Sequence, residues 1–249
     1  MAGHSKWANI KHKKAAADAV KGRVFSKIAK EIMVAARSGS DLSANITLRA
    51  LVQKARAANM PADNIDRAIK RGTGELEGQV LEEIMYEGYA PGGVSVIVQT
   101  LSDNRNRTAS EVRHAFSKHG GNLAGAGSVA RSFKRRGYFT LPVSAIEEDR
   151  LLEIALEAGA DDVRRDGEHF EVLCEFQQYG AVSDALTTAG LKPETSELTM
   201  IPDVTTPVTD PEKAKQLLAF IEALEELDDV QNVYANFDIS DEVMAQAQA

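Results

Sequence analysis

Residues 82–104 read EEIMYEGYAPGGVSVIVQTLSDN, and at this stretch the periodicity of the chain changes. Before it, apolar residues recur at helical spacing. From here they alternate or run together, and Pro91-Gly92-Gly93 separates two such runs. Aromatic and β-branched residues on both sides of a Pro-Gly-Gly turn predict an antiparallel hairpin. A helix follows in "RTASEVRHAFSKHG", with Ala109, Val112, Ala115 and Phe116 on one face. "SVARSFKRRG" returns to strand. A hairpin, a helix and one strand make an unfinished layer, so a later part of the chain is expected to complete it.

Downstream, "GYFTLP" opens a second unit: strand, helix "EEDRLLEIALEAG", strand "DDVRRDG", strand "HFEVLCEF", helix "GAVSDALTTAG", strand "ELTMIP". The order β-α-β-β-α-β is the ferredoxin-like split βαβ, complete at Pro202. A helix from Pro211 to Leu227 and the strand "VQNVYANFD" are left over. The economical reading sends them back to the unfinished layer, with "TTPVTDP" as a crossing linker. Upstream, Phe25, Ile28, Ala29, Ile32 and Ala36 form the apolar stripe of an amphipathic helix. Leu48, Leu51, Val52 and Ala55 form a second. Ile65, Ala68 and Ile69 form a third, with Pro61 in its first turn and Gly72 expected to stop it. The predicted fold is multidomain, α and α+β: an N-terminal basic helical bundle (1–76), a central α+β domain (77–135 and 206–249), and an inserted acidic ferredoxin-like βαββαβ domain (136–205).

A chain of 249 residues, 43% hydrophobic and 27% charged, has the composition of a globular protein with more than one domain. No stretch approaches the roughly 18 consecutive apolar residues of a membrane span. No apolar region follows the N-terminal charges, as a secretory signal requires, and those charges are lysines rather than the arginines of a transit peptide. The single cysteine, Cys174, fits a reducing compartment, and the alternation around it makes it a strand residue rather than a nucleophile. The expected location is cytoplasmic.

The net charge of −8 conceals a strong segregation. Residues 1–71 sum to +10, 72–100 to −5, 101–136 to +6 and 137–249 to −19. Such an arrangement predicts one end that faces a polyanion and another that repels it.

Enzyme chemistry finds no footing. "GAGSVA" satisfies G-x-G-x-x-A at Gly125, Gly127 and Ala130, but a helix precedes it and a strand follows, the reverse of a dinucleotide site. The histidines lack metal spacing, and the acidic pairs fall at helix ends or on exposed faces. No catalytic residue, metal site or cofactor is expected.

Nucleic-acid binding does find footing. Lys6, Trp7, Lys11, His12, Lys13, Lys14, Lys21, Arg23, Lys27 and Lys30 form a cationic segment holding the only tryptophan. Lysines neutralise phosphates and release counterions. Trp7 either stacks on an exposed base or anchors the first helix. Arg105, Arg107, Lys134, Arg135 and Arg136 mark a secondary anion site, the first two at a helix N-terminus; equally, Asn104 and Thr108 there read as simple caps.

The stretches "MAGHSKWANIKHKKAAADA", "NMPADNIDRAIKRGTG", "YEGYAPGGV", "LSDNRNRTASEVRHAFSKHGGNL" and "SELTMIP" together resemble the YebC family, also called YebC/PmpR. The resemblance implies a helical N-terminal domain and two α+β domains, one inserted into the other. It also implies a transcriptional regulator that binds DNA. Other members, including a mitochondrial translational activator, look like ribosome-associated factors. Three functions therefore stand side by side: a DNA-binding transcriptional regulator, a ribosome-associated translation factor binding structured RNA, and a protein-interaction scaffold. The expected partners are nucleic acid (DNA or ribosomal RNA) and a ribosome or transcription-machinery protein, with no membrane.

Overall fold

The hairpin forms where its sequence places it. β1 (Glu82–Ala90) and β2 (Val94–Ser102) pair antiparallel from Glu82 opposite Ser102 to Ala90 opposite Val94. Gly92 and Gly93 turn the chain with φ of 83° and 76°, a left-handed conformation that strains any residue with a Cβ. In this computed structural model, which describes residues 18–78 and 80–248, the chain divides into two compact units. One comprises residues up to 31, 79–134 and 201–249; the other comprises 32–78 and 135–200. None of the described helices is long and apolar enough to cross a membrane.

The first unit is built on a four-stranded sheet. α4 (Arg105–Lys118) follows the hairpin, β3 (Asn122–Ala124) adds to β1, and the C-terminal β9 (Val230–Ala235) adds antiparallel to β2. The strand order is β3-β1-β2-β9. Val94, Val96 and Val98 alternate onto one face. There they meet Val112 and Phe116 of α4 and Leu217, Phe220 and Leu224 of α7 (Pro211–Glu225). Phe116 and Phe220 close this core edge-to-face, with ring centroids 5.0 Å apart. A terminal helix, α8 (Asp241–Gln248), adds Met244 and Ala247 to the same core. The pairs β8 (Thr206–Pro207) and β10 (Phe237–Asp238) lie parallel. β8, β3 and α8 are additions to the predicted elements, these strands being too short to show a period, whereas β10 is the end of the strand expected in "VQNVYANFD", which breaks at Asn236.

The second unit contains β4 (Phe133–Pro142, mostly within it), α5 (Glu148–Glu157), β5 (Ala160–Asp166), β6 (His169–Glu175), α6 (Tyr179–Thr188) and β7 (Thr195–Pro202, also mostly within it). Its strand order is β5-β6-β4-β7. The strands expected separately in "SVARSFKRRG" and "GYFTLP" are one, because Gly137 does not break the strand but lets it approach Cys174 and Tyr179. Phe139 and Tyr179 stack at 5.1 Å in a core that includes Leu151, Val172, Cys174 and Leu186. Cys174 is fully buried on β6, and burial pushes its thiol up to about 12, so it packs as a small apolar residue. Ala50 of α2 (Ile46–Ala57) belongs to this same core, with Ile46 packed beside it. Along α2, Arg49 reaches Asp184 at 3.3 Å and Gln53 reaches Ser183 at 3.3 Å, so the helix is bound to α6 by polar as well as apolar contacts.

The first helical stripe becomes α1 (Asp18–Ala35), with Ile28 and Ile32 buried. α3 (Ala62–Thr73) begins after Pro61, which stands at the N-cap position rather than inside the first turn. The predicted stop at Gly72 is displaced: α3 runs through it and ends at Gly74, whose φ is 84°. Gly72 serves a close approach instead, since a Cβ there would lie 2.3 Å from the Met33 carbonyl oxygen and 2.7 Å from the Ala36 Cβ. The substitution Gly72→Ala sets two effects against each other. Helix propensity favours alanine by up to about 1 kcal/mol, whereas overpacking against rigid backbone costs about 1–3 kcal/mol. Urea unfolding should show net destabilisation; a higher midpoint would mean that α3 moves away from Met33 at little cost.

Candidate nucleic-acid interface

The basic residues divide into those held by internal partners and those turned to solvent. Lys6, Trp7, Lys11, His12, Lys13 and Lys14 lie outside the described residues, and of Lys21 only the backbone is described. Along α1, Arg23 is exposed. Lys27 donates from Nζ to the Glu225 carbonyl oxygen at 2.7 Å, where α7 ends and carbonyls lack helical partners. One turn on, Lys30 donates to the Asp228 carbonyl at 3.2 Å and to Asp229 Oδ1 at 3.3 Å. Both lysines therefore complement the negative end of α7.

Asp229 is the polar centre of the first unit. It is almost fully buried, and its Oδ2 accepts from Arg107 at 2.6 Å, Thr108 Oγ1 at 2.7 Å and Ser102 Oγ at 3.0 Å. Its backbone carbonyl accepts from the Leu101 N–H at 2.9 Å. A register irregularity where β9 faces Gln99 and Thr100 accompanies this geometry; bulges of this kind re-aim neighbouring side chains. Burial alone would push the Asp229 carboxyl up. The bonds from Arg107, Thr108 and Ser102, with the Lys30 charge, outweigh burial and hold it below the usual carboxylate range.

At the start of α4 the residues of the two sequence readings take different roles, and Thr108, read as a cap, is instead buried with its hydroxyl on Asp229. Asn104 caps the helix, its side chain accepting from the Arg107 N–H at 3.1 Å. Arg107, expected to meet an external anion, directs its guanidinium to Asp229 and, at 2.9 Å, to Asp103. Arg105 is exposed. The remaining members of the predicted secondary site have partners of their own: Lys134 pairs with Asp203 at 2.9 Å, and Arg136 with Asp161 and Glu175. Arg135 lies over the Phe176 ring at 4.4 Å and donates to Thr47. Arg105, Arg107 and Lys134 belong to one compact unit, Arg135 and Arg136 to the other.

The "GAGSVA" loop does gather an anion, and the anion is internal. The buried Glu87 carboxylate accepts from the N–H groups of Gly127, Val129 and Ala130 at 2.6, 2.7 and 2.8 Å. Burial raises its affinity for a proton, but three backbone donors prevail and keep it below its ordinary range. Asp229 and Glu87 escaped the sequence reading because their partners are 121 and 40 residues away or more. No local pattern announces such a pairing.

Comparison with known proteins places the chain. Residues 5–75 match the family model described as the TACO1/YebC protein N-terminal domain, and residues 81–237 match the one described as the TACO1/YebC second and third domain. The chain belongs to the TACO1/YebC family. Relatives of this TACO1/YebC protein include one from Syntrophobacter fumaroxidans, 54% identical over 98% of both chains, and one from Acidithiobacillus ferrooxidans, 55% identical over 100% of this chain and 99% of the other. Both are named "Probable transcriptional regulatory protein". The crystal structure of a conserved hypothetical protein, Aq1575 from Aquifex aeolicus, aligns with a TM-score of 0.80 at 46% identity, covering 91% of this chain and 94% of that one. That similarity carries the coarse fold: an N-terminal helical region followed by α+β domains with antiparallel sheets.

Two outcomes follow for this TACO1/YebC chain. The Asp229 carboxyl is more acidic folded than unfolded, where its value is near ~3.9. Its contribution is therefore fully present at neutral pH and is lost as pH falls through the unfolded value and then the lower folded one. Asp229→Asn should destabilise at pH 7 by about 2–3 kcal/mol, below the ~3–5 of a fully buried broken pair because Arg107 retains water. It should also flatten the acid limb of the stability–pH curve, which denaturant titration from neutral to acidic pH will read. In Glu87→Gln one amide oxygen replaces two carboxylate oxygens, so the amides of Gly127, Val129 and Ala130 should exchange with deuterium faster; unchanged protection would show that the loop is held by packing instead.

Proposed function

We propose that this protein is a nucleic-acid-binding regulator of gene expression, and within that class a DNA-binding transcriptional regulator. The observation that carries the proposal is kinship along the whole chain with proteins named as transcriptional regulators, at more than half identity. The charge pattern agrees with it: +10 in residues 1–71 against −19 in residues 137–249 favours engagement of a polyanion by one end. In this reading the main grip is the cationic segment from Lys6 to Arg23, with Lys11, Lys13 and Lys14 on phosphates and Trp7 on a base or ribose; Lys27 and Lys30, expected in it from the sequence, are bound to the end of α7 instead. A secondary contact draws on the basic residues of 105–136.

The domain organisation proposed with it has three parts: residues 1–76, residues 77–135 with 206–249, and residues 136–205. The family matches, which divide between residues 75 and 81, support the first boundary. The run β4-α5-β5-β6-α6-β7 with strand order β5-β6-β4-β7 supports a ferredoxin-like reading of the third part.

Structured RNA on a ribosome is the rival ligand, because a strongly acidic body tolerates a cleft better than a long duplex. Tagged protein recovered from one lysate should bring down genomic DNA in excess of ribosomal RNA. Co-sedimentation with ribosomes in place of DNA recovery would transfer the function to translation. In purified form, Lys11→Ala combined with Lys13→Ala and Lys14→Ala should reduce the slope of log affinity against log salt on duplex DNA by about 2.7, at ~0.9 per phosphate contact. An unaltered slope removes these lysines from the interface.

A further inference from the structure

We infer that the solvent face of α4 is a second phosphate-contacting surface for nucleic acid, carried by Arg105 and Arg113 with Asn106, Ser110 and Ser117 between and beside them. This rests on the nucleic-acid reading above and assigns it residues that the sequence pattern alone did not separate from their neighbours.

The argument begins with helix geometry. At 100° per residue, Arg105, Asn106, Ser110, Arg113 and Ser117 fall within an arc of roughly 140°, and all five are exposed. Of the core-facing residues of α4, Thr108, Val112 and Ala115 lie outside that arc, while Phe116 falls near its Arg105 edge but about three turns further along the helix. Glu111, the one acid on the helix, lies outside the polar arc. Arg105 and Arg113 stand about 12 Å apart along the axis, at ~1.5 Å per residue. Neither has an ion-pair partner among the described residues. Both also act electrostatically on the Tyr86 hydroxyl, at the middle of β1. That hydroxyl is buried and has no hydrogen-bond partner.

The contrast with neighbouring cations makes this face distinctive. Lys27, Lys30, Arg107 and Lys134 are each bound to a carbonyl or carboxylate of the same unit. Asp103 and Asp229, the carboxylates flanking the helix start, are already neutralised by Arg107 and Lys30. They leave the positive charge of α4 little opposed.

Chemistry favours nucleic acid over an acidic protein as the occupant. Stable protein interfaces centre on large apolar or aromatic anchors, and none of the exposed large hydrophobic residues lies on α4. Planar arginine forks interleaved with hydroxyl and amide side chains suit phosphate and sugar oxygens.

The full-length protein tests this with a fluorescent duplex DNA and a fluorescent single-stranded RNA, titrated at several salt concentrations. Arg105→Gln with Arg113→Gln should lower the duplex salt slope by about 1.8, from ~0.9 per lost phosphate contact. Arg105→Lys with Arg113→Lys should recover most of it. Ser110→Glu with Ser117→Glu breaks no native bond and should weaken binding to the same polymer, which guards against a folding defect in the arginine variant. A wild-type slope in the Gln variant overturns the assignment while leaving the nucleic-acid function intact. Loss of polyglutamate binding with duplex affinity unchanged overturns it in favour of an acidic protein partner. Failure of the wild-type chain to bind either polymer overturns the functional reading itself, and this surface with it.

Discussion

A carboxylate removed from water must have its charge answered and its lone pairs filled, and in the first unit Asp229 imposes that demand. It stands just before β9, and the groups that meet it come from three other places in the chain: Lys30 on α1, Ser102 at the end of β2, and Arg107 with Thr108 in the first turns of α4. If β9 is displaced, or α4 begins one residue later, a buried charge loses its partners, at a cost several times that of an ordinary hydrogen bond. Apolar packing of Phe116 on Phe220 supplies bulk attraction without direction. The carboxylate supplies the direction, and it couples the C-terminal strand to the start of α4.

The same demand explains why lysines and arginines in one basic region have different fates. A helix that ends beside α1 presents carbonyl oxygens without partners, and Lys27 and Lys30 are the nearest donors. Arg107 is drawn to Asp229, whereas Arg105 and Arg113 face solvent. Positive charge thus serves cohesion on one side of α4 and remains available on the other. Glu87 follows an analogous rule with the sign reversed: the glycine-rich loop presents converging N–H groups, and the chain provides its own anion for them.

The second unit is held by different means. Stacked rings, a buried thiol and aliphatic side chains fill its interior, and α2 contributes Ala50 to it while Arg49 and Gln53 bind α6. Because α2 is part of that core, truncating the chain after α3 would expose apolar surface on both fragments.

By itself the sequence determined the element types. The hairpin around Pro91-Gly92-Gly93, the valine alternation of β2, the stripes of α1 to α3 and the run of elements from residue 133 to 202 follow from local periodicity and turn chemistry, which act over a few residues. The capping role of Asn104 was open to the same reading, as was Cys174 as a strand residue. The sequence also marked a basic segment and a basic stretch, since charge is countable without coordinates. Tertiary structure decided which of those charges are used internally. It placed Asp229 against Arg107 and Glu87 under the glycine loop, carried α3 through Gly72, and merged two expected strands into β4. Each of these depends on a neighbour distant in the chain, and on whether a charged side chain is desolvated. Burial is a property of the assembled fold, so no local pattern contains it.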